Sequence, residues 1–226
     1  MTDSNPATRA AAARHPAFES LVADTRGLRA RLAHALAIEY DWRYHDGPEW
    51  AARYWQAFGD LAVDLADAAE SPRYQRVLER TDWRTLSSAE ADDVRTIFRG
   101  LIALVDPRVV PAARDDVRAD LWPKILRAYR AGDRGGLVAA WSEVRALVRS
   151  PALPDDVVAL RAEHDRLSAA AAAADRRLAE MSQTFPFNMR DRLADPDWVR
   201  RQRQALRQVR VFIEPPVGTR EVERVS

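Results

Sequence analysis

Apolar residues recur at three- and four-residue steps along nearly the whole chain, and no run alternates apolar with polar residues over a strand's length. The pattern predicts an all-α fold, with antiparallel coiled-coil helices flanking a compact helical insert. After a polar tail over residues 1–16, expected to be disordered, a helical segment spans 17–72. In it Phe18, Leu21, Thr25, Leu28, Leu32 and Ala35 form one seam on one helix. His45-Asp46-Gly47-Pro48 then breaks or bends the chain, because glycine loosens the backbone and proline fits best in a helix's first turn. A second helix carries Trp50, Tyr54, Phe58, Leu61, Leu65 and Ala68 on one face and ends near Ser71-Pro72.

The clearest period lies further on, in the segment 155–212. Val157, Leu160, His164, Leu167, Ala171, Ala174, Leu178, Met181 and Phe185 keep heptad spacing on a helix that starts just after Pro154. So narrow a seam, with small Ala171 and Ala174 in its middle, predicts close antiparallel pairing with an N-terminal helix, though a coiled coil between two copies would read the same. His164 is expected to be a register-setting polar residue of that seam, with a pH-sensitive contact as the sharper alternative. Phe185-Pro186-Phe187-Asn188 turns the chain, and Asp195-Pro196 caps and opens a last helix through about Val211. An irregular tail spans 213–226.

Between these flanks lies the insert, residues 84–149. Ser87 and Glu90 have capping-box spacing, and the helix they open presents Val94, Ile97, Phe98, Leu101, Ile102 and Val105 on one face. A loop at Asp106-Pro107-Arg108 follows. A second helix carries Val117, Leu121, Trp122, Ile125, Ala128 and Tyr129, with Pro123 expected to bend it or mark its true start. Gly132 can close it in a left-handed conformation. Leu137, Val138, Trp141, Val144 and Val148 form the face of a third helix.

Composition narrows the functional choices. In 226 residues, 35 basic side chains face 34 acidic ones, so no global field marks out nucleic acid or an anionic membrane. Lys124 is the only lysine, so arginine richness alone carries little weight. Without cysteine there are no disulfides, thiolate metal sites or cysteine nucleophiles, which fits a reducing cytoplasm. Neither a signal-peptide core nor a membrane-spanning apolar run is present in the sequence, so a cytoplasmic protein without membrane contact is expected.

The insert carries a resemblance. "IFRGLIALVDPR" followed by "DLWPKILRAYRAGD" resembles helices two and three of a J-domain, the co-chaperone module of DnaJ-like proteins. Phe98-Arg99 falls where that family has Tyr-Arg, Leu101 takes a buried leucine position, and Trp122, Ile125, Ala128 and Tyr129 fall on the Phe, Ile and Ala-Tyr positions of helix three. The chain is most similar to a bacterial J-domain-like subgroup with coiled-coil helices on either side. In that subgroup a Phe-Pro-aromatic-Asn segment and a tryptophan-bearing terminal helix follow, as Phe185 to Asn188 and Trp198 do here.

The resemblance implies that Asp106, Pro107, Arg108, Arg95 and Arg99 form a partner-binding surface for an ATP-dependent heat-shock chaperone. The departures change that expectation. The family's His-Pro-Asp loop here reads Asp106-Pro107-Arg108, and Gly100 and Leu104 stand where lysines are common. Charge complementarity governs encounter and partner choice, so this surface should be a poor ligand for the usual chaperone.

Other candidate chemistry is sparse. His34, Asp41 and His45 lie at i, i+7 and i+11, with Glu39 nearby, and could form a metal site only if a second helix supplied ligands; ordinary side chains are the preferred reading. His15-Pro16 is followed by alanine and precedes a helix, so it does not replace the missing loop. No phosphate loop, nucleophile elbow or His-partnered carboxylate pair is present, so neither an enzyme nor a cofactor is expected. The terminal helix concentrates Arg200, Arg201, Arg203, Arg207 and Arg210, a basic patch that could neutralise phosphates or form a solvated face balanced by Asp191, Asp195 and Asp197. The sequence thus points to a non-enzymatic interaction or scaffold protein with a protein partner. Its alternatives are a nucleic-acid-binding protein, a divergent but active co-chaperone, and self-association through the coiled coil.

Overall fold

The computed structural model describes residues 16–59, 61, 88–111, 116–148 and 152–213. Most of both expected tails, the second helix beyond Leu61, and Ser87 of the capping box lie outside the described residues. Among the described residues the chain is helical and contains no strand. The longer helices are α1 (Pro16–Asp41), α2 (Gly47–Phe58), α3 (Ser88–Val105), α4 (Val117–Arg130), α5 (Arg134–Leu147), α6 (Val157–Gln183) and α7 (Pro196–Ile213). They belong to two compact units, Met1–His45 with Thr81–Glu180 and Asp46–Arg80 with Met181–Ser226. These units are discontinuous in sequence, so the segments 17–72 and 155–212 each contribute to both.

The first unit is built around α3. Val94, Phe98, Leu101, Ile102 and Val105 are fully buried, as the insert's apolar face predicts, and Ile97 is partly so. Against them pack Leu121, Ile125 and Tyr129 of α4 and Leu137, Ala140 and Val144 of α5. Val138, grouped with the α5 face by sequence, is instead 41% exposed, because consecutive residues on a helix stand about 100° apart. Linked pairs run from Leu104–Arg118 through Phe98–Trp122 to Asp93–Arg134, the descending order of an antiparallel hairpin.

The turns follow from local chemistry. Asp116 caps α4 by accepting from the Arg118 N–H at 2.9 Å, so the helix starts there and Pro123 is carried inside it on the exposed side. Gly132, at φ 63°, ends α4 in a Schellman turn. Its N–H donates to the Tyr129 carbonyl, and the Asp133 N–H donates to the Ala128 carbonyl. Asp133 then caps α5 through the Gly136 N–H at 2.9 Å.

The seams of α1 and α6 meet the same core. Leu32, Ala35, Leu167, Ala171 and Ala174 are buried in it together, so the middle of the α6 seam is occupied within its own unit. The expected antiparallel pairing of these helices is corrected by their ion pairs. Arg29–Glu163, Arg31–Asp175 and Glu39–Arg177 climb together in number, so α1 and α6 run in the same sense. Heptad spacing fixes which face is buried and leaves direction undetermined. His164 lies at the seam's edge, 31% exposed, against Asp165.

Between α1 and α2 the chain stays helical through a π turn at Trp42–Asp46, with Pro48 in the first turn of α2. In the second unit Phe58 meets Trp198 edge-on at 5.9 Å and Tyr54 meets Phe185 at 5.1 Å. The Phe-Pro-Phe-Asn segment and the terminal tryptophan thus supply that unit's aromatic core. The Phe185–Pro186 peptide is cis.

Candidate functional site: the Asp106-Pro107-Arg108 loop and its acidic seat

The loop between α3 and α4 sits on the last turn of α1, where Glu39, Tyr40 and Asp41 are all buried. Asp106 is fully buried as well. An uncompensated carboxylate there would cost several kcal/mol, and the loop supplies the compensation itself. Asp106 Oδ1 accepts from the Arg108 N–H at 2.9 Å and from Arg108 Nε at 3.2 Å. Oδ2 accepts from Arg108 Nη2 at 3.0 Å and from the Tyr40 hydroxyl at 3.2 Å. The Asp106 carbonyl accepts the Val109 and Val110 N–H groups at 2.9 and 2.8 Å. All four side-chain lone-pair sites are filled, which leaves this carboxylate no capacity as a general base.

Arg108 is the hinge pin of the arrangement. Its guanidinium also donates to the Tyr40 hydroxyl, stands 4.9 Å from the centre of the Tyr40 ring, and lies 3.6 Å from Glu39. Burial opposes its charge, but the hydrogen bonds and charge of Asp106, with Tyr40 and Glu39, outweigh that and hold its pKa above the ordinary value. Burial, reinforced by the Asp106 charge, likewise pushes the Tyr40 phenol well up. Both groups therefore remain donors at neutral pH. From α6, Arg166 clamps the loop, donating to the Arg108 carbonyl at 2.9 Å and the Val109 carbonyl at 3.1 Å. Glu163 orients Arg166. The hydrogen bond from Arg166 holds the Glu163 carboxyl below the usual range, burial opposing and Arg29 adding to it.

The same seat takes up the basic residues of α3. Arg95 and Arg99 reach Asp41 at 3.3 and 3.6 Å, and Asp41 also accepts from the Tyr129 hydroxyl. Glu39 is shared by Arg43 and Arg177, each at 3.0 Å, as well as Arg108. Three carboxylates thus meet five guanidiniums. Of the five residues expected to face a partner, Asp106 is buried, Arg95 and Arg108 are turned inward, and only Arg99 and Pro107 are well exposed. Glu39 continues the α1 seam at i+7 from Leu32, the sequence signal that could have placed it in the core.

The remaining candidates lie elsewhere. His34 is exposed, and His45 donates from Nε2 to the Tyr129 carbonyl at 3.0 Å, with its pKa lowered chiefly by burial. Among the described residues no group of three His, Asp or Glu side chains could hold a metal ion. On α7, Arg200 pairs with Asp197 and Arg201 with Asp195, while Arg203 donates to the Ala57 carbonyl at the end of α2. Arg207 is exposed, and the Arg210 side chain lies outside the described residues.

Gly100 has a physical reason to lack a side chain. A Cβ there would come within 2.6 Å of the Trp141 ring, so its hydrogen lets α5 pack its indole onto α3.

No helix among the described residues is long and apolar enough to cross a membrane. The chain matches no family model, no curated protein and no solved structure.

Proposed function

We propose that this chain is a non-enzymatic, cytoplasmic interaction or scaffold protein, built on a three-helix module similar to a J-domain whose working loop has become a structural latch. The observation that carries the reading is the closure of the loop on itself. In a co-chaperone this loop must offer its polar side chains to the partner, whereas here Asp106 and Arg108 spend theirs on each other, Tyr40 and Glu39. Arg95 is likewise engaged with Asp41, which depletes the basic face of α3. A partner would have to break these contacts and leave a buried carboxylate unpaired before it could bind them.

The test is steady-state ATP turnover by a heat-shock chaperone from the native cell, with and without a saturating amount of the full chain. Unchanged turnover is expected. Stimulation that disappears on Pro107→Ala would establish a divergent co-chaperone and overturn the proposal. The scaffold reading also expects capture of a protein partner at fixed stoichiometry from native-cell extract.

A further inference from the structure

We infer that one exposed arc of α7, formed by Arg200, Arg201, Gln204, Arg207 and Gln208, is a docking surface for the phosphate backbone of a nucleic acid. This goes beyond the scaffold reading and rests on different residues. At about 100° per residue, these five side chains fall within about 120° of the helix circumference. All are exposed, Arg200 and Arg201 at 79% and 69%. The opposite arc carries Trp198, Gln202 and Leu206, which are half-buried, with Trp198 against Phe58. The helix is therefore anchored by one side and offers the other.

Charge is concentrated here. Residues 190–210 hold seven arginines against three aspartates, in a chain whose net charge is only +1. After Asp197 no carboxylate occurs on α7. The pairs Arg200–Asp197 and Arg201–Asp195 are exposed, and such pairs contribute little in water, so a phosphate can take either guanidinium. Arg203 is excluded from the surface, because its Nη1 is committed to the Ala57 carbonyl.

Chemistry selects the partner. Arginine forks and glutamine amides both donate to phosphate and sugar oxygens, the contacts that position a protein on nucleic acid. Arg200, Arg201, Gln204, Arg207 and Gln208 are all polar, whereas a helix that lies in a bilayer surface inserts large apolar side chains.

The experiment uses the full chain and a fluorescently labelled duplex of about 20 base pairs, followed by anisotropy at several salt concentrations. Neutralising three phosphates predicts affinity falling about 40-fold between about 50 and 200 mM salt. The triple variant R200A/R201A/R207A should lose that binding. R200K/R201K/R207K should keep both the binding and its salt dependence, which separates lost charge from lost folding. Polyglutamate should not bind, and anionic vesicles should not compete with the duplex. Absence of salt-dependent binding, binding that survives the alanine variant, or equal recognition of polyglutamate or vesicles would overturn the inference.

Discussion

Arg108 gives Asp106 three hydrogen bonds from two residues along the same loop, at 2.9, 3.2 and 3.0 Å, and so compensates a fully buried carboxyl group at the end of α3. The pair is a covalently close, three-point lock. Its partners on α1 and α6 turn a connecting loop into part of the core.

Removing Arg108 alone should therefore be costly. Arg108→Ala is expected to destabilise the protein by about 2–4 kcal/mol, because it takes the counter-charge and two donors from buried Asp106 and leaves it the residue-108 N–H and the Tyr40 hydroxyl. Removing both charges in Asp106→Asn with Arg108→Ala should cost less than the sum of the single changes. Urea denaturation in a double-mutant cycle measures the difference, and additive costs would show that the two side chains do not act as a unit.

Gly100 offers a change of sign. In the native background Gly100→Ala should lower stability by about 1 kcal/mol, since pressing on Trp141 outweighs the gain in helix propensity. In a Trp141→Leu background the same substitution should raise stability by up to about 1 kcal/mol. Melting temperatures of the four proteins check the reversal.

On α7, neighbouring arginines should behave differently. Arg203→Ala removes the donor to the Ala57 carbonyl and should cost about 0.5–1.5 kcal/mol. Arg207→Ala, on the exposed arc, should stay within about 0.5 kcal/mol of the native protein. Denaturation midpoints of the two variants make the comparison, and equal losses would remove the distinction between a capping and a docking arginine.

Acidification should weaken the first unit through His45. Its folded pKa is lowered by burial, with Arg95 adding to that effect and Asp41 opposing it, so the unfolded chain binds the proton more readily. Stability is fully present above the unfolded value of about 6.5 and is lost as pH falls through the folded pKa. Glu163, also depressed, adds a loss of the same sign at lower pH. Calorimetric scans between about pH 7.5 and 5.5 should show a falling melting temperature, and His45→Gln should flatten that decline.

Much of this architecture was legible in residue spacing, and the reasons for the rest are physical. The α3 face and the Gly132 turn could be read directly, since an apolar period and a left-handed glycine each have one local solution. Glu39 and Asp41 were read as surface or metal-site residues because hydropathy gives no signal for a carboxylate buried by arginines distant in sequence. Arg108 looked like a reversed charge on a docking surface, and its role as the loop's own counter-ion depends on Tyr40, 68 positions away. The direction of α6 was unreadable because a heptad seam has no polarity. Gly100 gained meaning only beside Trp141.

The central claim is that the Asp106-Pro107-Arg108 loop is closed, and amide hydrogen exchange tests it most directly. The N–H groups of Arg108, Val109 and Val110 all donate to Asp106. They should exchange as slowly as the core amides of α3 and α4, and Arg108→Ala should release them. Rapid exchange of all three in the native protein, at rates typical of an open loop, would contradict the account.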